Sequence, residues 1–399
     1  MRLEYGPVRD DAEMRAFAEM IMQSLAGSIP TEPDWYERWK ERWLVDIDVR
    51  VVRCDGALAG GLGLLRFGQW FGGKSVRCAG VTAVAIAPEH RGRGVASYLM
   101  RESIREVRSD GRPLAALYPA TQTLYRKSGF ELAGSYQSYQ VPLHKITCVE
   151  RELRVRPMVE GDRAIASSLY EARARRTNGH LDRNEWLWMR TLNPYKQRVF
   201  AYVVEGVEGG SGAEGYVAFL QRDEPTVRYE LIVKDLVAST PRAHRALLAF
   251  LGSHRSMAAH FVFYGAPADP FLYLLDEASW TWGKQRIDWM LRLVDVSAAL
   301  EQRGYPAGAR GELHLEVVDE LLQDNAGRIV LQVEGGEGRV RAGGRGDLRL
   351  DVRALASMYS GYLGARELLS ASALTGEGEA LALATTLFAS SAPWMSDMF

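Results

Sequence analysis

Cysteine is scarce in this chain. Its 399 residues hold three, Cys54, Cys78 and Cys148, set far apart with no CxxC pair and no Cys/His cluster. That argues against a disulfide scaffold and a structural zinc site. Long apolar runs are missing too, since none approaches the roughly 20 residues of a membrane span. The N-terminal Met1-Arg-Leu-Glu-Tyr-Gly-Pro7 lacks the apolar core of a secretory signal. Neither sign of charge dominates: 49 Lys and Arg against 50 Asp and Glu leave a net charge of −1. No overall field therefore draws the chain to nucleic acid or anionic lipid, and no like-charged tail does so locally. The seven histidines form no HExxH spacing, and no GxSxG elbow occurs. What is present, 47% hydrophobic and 25% charged residues, is the mixture of ordinary globular domains, enough for two or three of them. The expectation is a soluble, cytoplasmic protein with no metal, nucleic-acid or membrane partner.

Two seams divide the chain. Pro142–Pro157 reads as a crossing between domains, and the Trp-rich stretch around Trp280, Trp282 and Trp289 leads into an amphipathic Met290-Leu-Arg-Leu-Val-Asp-Val. Gly206–Gly215 and Gly335–Gly346, each flanked by alternating apolar residues, read as hairpin turns. Near the start, Asp11–Leu25 carries apolar residues at helical spacing, and Asp55-Gly56 predicts a tight hairpin. Val81–Ala87 is β-branched and apolar throughout, the pattern of a strand buried on both faces.

Directly after that strand comes Pro88-Glu-His-Arg-Gly-Arg-Gly-Val-Ala96, then a helix with Val95, Leu99, Ile104 and Val107 on one side, closed by Asp110-Gly-Arg-Pro113. A strand, a basic glycine turn and a helix N-terminus together suit a pyrophosphate. The first N–H groups of a helix have no intrahelical partner and lie at the positive end of its dipole. Gly92 and Gly94 let the main chain approach phosphate oxygens, while Arg91 and Arg93 supply charged donors. The turn has no GxGxxG, and no Gly-Lys-Ser/Thr follows it. The bland alternative is a cationic surface turn capping a helix. His90, beside the glycines, reads as a solvated or phosphate-facing imidazole.

Arg91-x-x-Gly94-x-Ala96 after Val84-Ala-Ile-Ala-Pro88 resembles the acetyl-CoA signature of the GNAT N-acetyltransferases, and Tyr125-Arg-Lys-Ser-Gly-Phe130 resembles the segment carrying their general acid. The whole length, the Trp35 region and the terminal Ser396-Asp-Met-Phe399 are similar to the Eis (enhanced intracellular survival) family. That resemblance implies an α/β (α+β) fold of three parts. These are a catalytic GNAT domain (1–146), a degenerate GNAT-like domain (147–287) and a sterol-carrier-protein-like domain (288–399) that ends in the active site. It implies an enzyme moving acetyl from acetyl-CoA to a primary amine of a small molecule, aminoglycosides included. The alternatives are a lysine, polyamine or protein acceptor, or a non-catalytic CoA- or lipid-binding protein. It places cofactor contacts at Val84, Ala85, Ile86, Arg91, Gly92, Arg93, Gly94, Val95, Ala96, Ser97, Ala120 and Thr121. Tyr125 becomes the general acid, with Tyr118 a weaker alternative, and the Phe399 carboxylate becomes the base. A homo-hexamer is implied as well. One departure stands out: Met22-Gln-Ser-Leu-Ala-Gly27 has no carboxylate of the kind that lines an aminoglycoside pocket.

The middle segment repeats the strand-to-helix step, from Arg228–Val237 to a helix over Thr240–Gly252, but its turn has no glycine. This copy is expected to hold no pyrophosphate. Trp186, Trp188 and Trp289 read as core aromatics or as walls of an amine site. The last segment is Gly- and charge-rich, which favours a structural role over a lipid tunnel.

Overall fold

A computed structural model describes residues 1–26, 32–43, 46–150, 152–194, 197–206, 212–223, 229–275 and 277–399. The chain forms two compact units. The first comprises Met1–Ala133, Trp289–Ala389 and Phe399; the second comprises Gly134–Asp288 and Ser390–Met398.

The first unit opens with strand β1 (Leu3–Pro7), helix α1 (Asp11–Ile21) and helix α2 (Trp35–Trp43). Asp10 caps α1 by accepting the Glu13 N–H at 2.8 Å, and Met14, Phe17, Ala18 and Ile21 turn inward. The expected helix over Asp11–Leu25 ends earlier than its spacing predicts, giving way at Met22–Ala26 to one π-helical turn. Gly27, the end of the carboxylate-free stretch, lies outside the described residues.

Strands β2 (Ile47–Cys54) and β3 (Ala57–Phe71) form the hairpin expected at Asp55-Gly56. Both turn residues have positive φ, 51° and 90°, which makes a two-residue turn with the right twist for a hairpin. β4 (Lys74–Ile86) runs antiparallel to β3. Helix α3 (Val95–Ser109) then crosses over to β5 (Leu114–Leu117), which lies parallel to β4. Met290–Leu293 adds an antiparallel neighbour to β5. Met290, Leu291, Arg292 and Leu293 are all fully buried, so this stretch is an interior strand rather than an amphipathic surface element. The α3 side of the sheet is packed by Val95, Leu99, Met100, Ile104 and Val107. The other side is packed by Met14, Phe17, Ile21 and Tyr36.

The remainder of this unit carries a five-stranded sheet ordered Glu337–Ala342, Gly327–Glu334, Gly311–Val318, Leu348–Asp351 and Leu374–Thr375. The Gly335–Gly346 stretch is more than one turn. Gly335 and Gly336, at φ 59° and 81°, form the tight turn, and a strand follows at once. Leu348–Asp351 pairs instead with Gly311–Val318, in parallel.

In the second unit, Phe200–Glu205, Ala213–Asp223, Tyr229–Ala238, Ala258–Gly265 and the part of strand Glu131–Pro142 from Gly134 onward lie side by side in that order. The helix Pro241–Gly252 buries Ala243, Ala246, Leu247, Leu248 and Leu251 against the sheet. Residues 207–211 of the expected Gly206–Gly215 turn, and Arg228 of the expected strand, lie outside the described residues. Trp186, Trp188 and Trp289 are buried to within 2% exposure, so they are core aromatics. Among the described residues no helix is long and apolar enough to cross a membrane.

Candidate active site

The site begins where β4 and β5 part. Their pairing runs from Cys78↔Leu114 to Gly80↔Ala116 and stops there. Two residues on, β4 bulges against β3: Gly63 faces Thr82 and Gly61 faces Ala85, leaving one extra residue on β4. Ala83 takes up the kink at φ 51°, a left-handed conformation costly for a residue with a Cβ. The last turn of β4 is thus not buried on both faces, as its composition predicts. Thr82, Ala83, Val84 and Ile86 are only half-buried, while Ala85 is buried towards α1. The correction has a simple cause: apolar residues here line a parting between strands, and composition does not register a missing neighbour.

Beyond β4, a single 3-10 turn (Pro88–His90) leads into Arg91–Gly94. Gly92 and Gly94 have φ of 74° and 81°, and among the described residues a Cβ on either would meet nothing within 4 Å. The glycines are thus needed for backbone conformation, and no described residue fills the space over them. Gly94 is the N-cap of α3 and supplies no side-chain cap, and no acidic residue occupies the first turn. The N–H groups of Val95, Ala96 and Ser97 therefore point into an open, positively polarised end of a four-turn helix. Arg93 is exposed beside them. Arg91, also exposed, braces the turn as well. Its Nε donates to the Ile86 carbonyl at 3.1 Å, tying the turn back to the end of β4, and Nη2 lies 3.5 Å from Ser24 Oγ. His90 is half-buried, with its Nδ1 shut away from solvent and without a partner among the described residues.

The second unit shows the same helix end closed. Thr240 Oγ1 accepts the Ala243 N–H at 3.1 Å and donates to Glu214 at 2.6 Å. A capped N-terminus with a carboxylate beside it repels phosphate. Beside the missing glycine, the Thr240–Glu214 pair is a second feature of this turn unsuited to phosphate.

Ala120 and Thr121 are exposed at the start of helix α4 (Gln122–Arg126). Tyr125 on that helix is 5% exposed and packs in the same cluster as Val84, Ile86, Val95 and Phe130. Burial pushes its phenol up to about 12, so it stays protonated at neutral pH. Its hydroxyl makes no hydrogen bond among the described residues. Phe399 is seated elsewhere on the same parting. Its ring stands 5.0 Å from that of Phe67 and 5.5 Å from that of Tyr118, just after β5, and its edge reaches Gly80, the last residue of β4 paired to β5.

Asp397, two residues from the terminus, is not available as a base. Arg183 Nε bonds it at 2.9 and 3.1 Å, and the Tyr170 hydroxyl donates to it at 3.1 Å. The same arginine reaches Asp235, as does Arg173. None of this pairing is signalled by spacing, because its members come from residues 170 to 397.

A parallel strand pair that parts over an uncapped, glycine-led helix N-terminus defines the acyl-transfer class built on the GNAT fold. Residues 7–133 match the acetyltransferase (GNAT) domain and so do residues 179–293, while residues 296–396 match the sterol carrier protein domain. An uncharacterized N-acetyltransferase of Streptomyces avermitilis is 30% identical over 94% of both chains. The N-acetyltransferase Eis of Mycobacterium bovis BCG is 30% identical over 79% of both. A GCN5-related N-acetyltransferase structure from Anabaena variabilis superposes over the full length of both chains with a TM-score of 0.93 at 34% identity. The chain belongs to the Eis family of GNAT N-acetyltransferases, with two GNAT domains and a sterol carrier protein domain, and it is an acyltransferase enzyme.

Proposed function

We propose that the protein transfers acetyl from acetyl-CoA to a primary amine of a small molecule. The observation that carries this is the contrast between the two copies of one motif: α3 presents open N–H groups behind Gly94, whereas Thr240 and Glu214 close the equivalent end in the second unit. The pyrophosphate would rest on the N–H groups of Val95, Ala96 and Ser97, with Arg91 and Arg93 as charged donors. Val84, Ala85, Ile86, Ala120 and Thr121 would line the rest of the cofactor's course. A backbone N–H at Val84 or Ile86, turned by the bulge at Ala83, would hold the developing oxyanion.

The amine nitrogen attacks the thioester carbonyl, the C–S bond breaks with its electron pair on sulfur, one proton leaves the nitrogen, and the freed thiolate takes its proton from solvent. A phenol held near 12 is a weaker acid than a thiol of about 8.5, and complete transfer from Tyr125 would cost roughly 5 kcal/mol. Its part is therefore to hydrogen-bond the departing sulfur as charge develops there. The Phe399 carboxylate takes or orients the amine's proton.

The acceptor reading favours a singly charged lysine-like amine over polycationic aminoglycosides and polyamines, because Met22–Ala26 brings no carboxylate beside the Arg91 turn. The assembly read with this family resemblance is a homo-hexamer in the cytoplasm, which sedimentation would overturn by giving a monomer. The test of the activity is release of free thiol from acetyl-CoA with Nα-blocked lysine, spermidine and an aminoglycoside in turn. No amine-dependent release with any of them, in folded protein that binds acetyl-CoA, would leave a binding protein rather than this enzyme.

A further inference from the structure

Arg292 is completely buried, and two of its guanidinium nitrogens, Nε and Nη1, have no hydrogen-bond partner among the described residues. Buried donors of this kind are rare and costly, so their place needs a reason. The third nitrogen, Nη2, donates to Asp319 at 2.6 Å. Asp319 is itself held rigidly, accepting from the Leu321 and Leu322 N–H groups at 3.0 and 3.1 Å and from Asn325 Nδ2 at 2.9 Å. The arginine thus belongs to the end of a sheet strand, and its carboxylate partner belongs to the sterol-carrier part of the chain.

The guanidinium comes hard against Gly129, Nη1 foremost. A Cβ built there would fall 1.7 Å from Nη1 and 2.6 Å from Cζ, and Gly129 has φ 82°. Gly129 closes the turn that follows Tyr125. In that turn the N–H groups of Ser128 and Phe130 both donate to the Tyr125 carbonyl, at 2.9 and 3.2 Å, and Gly129 donates to Arg126 at 3.0 Å. Leu322, from the loop that Asp319 organises, packs in the same apolar cluster as Tyr125 and Phe130.

We propose that Arg292, locked by Asp319, is a positioning residue that clamps the Gly129 turn and so fixes where the Tyr125 hydroxyl lies. The sterol-carrier part would then contribute to acetyl transfer through this loop, whatever else it does. The inference rests on the role given to Tyr125 above. α4 has only five residues and cannot hold a side chain to the tolerance that catalysis needs without outside support.

The test compares Arg292→Met with wild type in the full-length enzyme, using acetyl-CoA and whichever amine of the panel turns over fastest. Arg292→Met should lower kcat about 10- to 100-fold while KM for acetyl-CoA stays within about twofold. Arg292→Lys should recover part of the loss. In a Tyr125→Phe background the same change should cost little more, and exchange of the Ser128 and Phe130 amides should accelerate. Unchanged kcat, unchanged exchange, or an equal loss in the Tyr125→Phe background would overturn the clamp. If Tyr125→Phe alone keeps full turnover, the hydrogen-bonding role given to Tyr125 fails, and the exchange rates still decide whether Arg292 holds the turn. Should Arg292→Met not fold, Asp319→Asn preserves shape and must move kcat and exchange in the same direction.

Discussion

The ring of Phe399 stands edge-on to that of Phe67, their centroids 5.0 Å apart and their planes at 64°. Gly80 makes room for both: a Cβ there would fall 2.5 Å from Phe67 Cε1 and 3.0 Å from Phe399 Cε2. The last residue of the chain is thereby seated where β4 and β5 separate. Removing Phe399, or extending the chain with a short tag, should abolish most turnover while acetyl-CoA affinity and thermal midpoint stay near wild type. Gly80→Val should act in the same direction by unseating the ring. Full activity in a well-folded tagged enzyme would sink the role given to the Phe399 carboxylate.

Tyr125→Phe deletes a hydroxyl and keeps the packing against Phe130, whose ring lies 6.3 Å away. Turnover should fall about 10²- to 10⁴-fold with acetyl-CoA affinity little changed. Because burial pushes the phenol up to about 12, it holds its proton throughout the ordinary range. The wild-type rate should therefore show no alkaline loss from this group below about pH 11. A falling limb between pH 8 and 9 that vanishes in Tyr125→Phe would contradict the assignment.

At the glycine turn, Arg93→Ala should weaken acetyl-CoA binding by about 1–3 kcal/mol, the range for hydrogen bonds to a charged group. Arg91→Ala should cost at least as much, since it also releases the turn from the Ile86 carbonyl. Gly94→Asn separates backbone strain from steric block, because asparagine tolerates the left-handed conformation at φ 81°. A folded Gly94→Asn enzyme should still lose affinity. Calorimetry showing wild-type binding in all three variants would remove the cofactor from this turn.

Asp235 in the second unit is buried between Arg173 at 3.0 Å and Arg183 at 2.5 Å, and accepts the Tyr216 hydroxyl at 2.7 Å. Burial alone would raise its carboxyl, but the Arg183 and Arg173 charges and that hydroxyl outweigh burial and hold it well below the usual carboxylate range. A depressed folded value means that the stabilisation is full above the unfolded value of about 4 and is lost as pH falls below it. Asp235→Asn removes the buried carboxylate that Arg173 and Arg183 share, leaving Arg183 to the Asp397 carboxylate alone, and should cost about 3 kcal/mol near neutral pH. Thermal midpoints measured from pH 7 to pH 3 should fall for wild type below about pH 4 and show a shallower dependence for Asp235→Asn. Parallel curves would mean that Asp235 does not carry the acid sensitivity.

Local order determined what was legible from the chain alone. The Asp55-Gly56 hairpin, the apolar side of α3 with its Gly111 stop, and the uncapped entry at Gly94 each depend on residues within a few positions of one another. The tertiary structure decided what depends on distant partners. The half-burial of Val84 and Ile86 arises because β5 stops pairing at Ala116, which no property of β4 announces. The full burial of Arg292, in a stretch that reads as amphipathic, follows from an aspartate 27 residues further on. Asp397, which looks like a spare carboxylate beside the terminus, is taken by Arg183, 214 residues earlier. Periodicity measures how one element presents its own side chains; burial and charge pairing depend on which elements meet, and that is settled only when the chain folds.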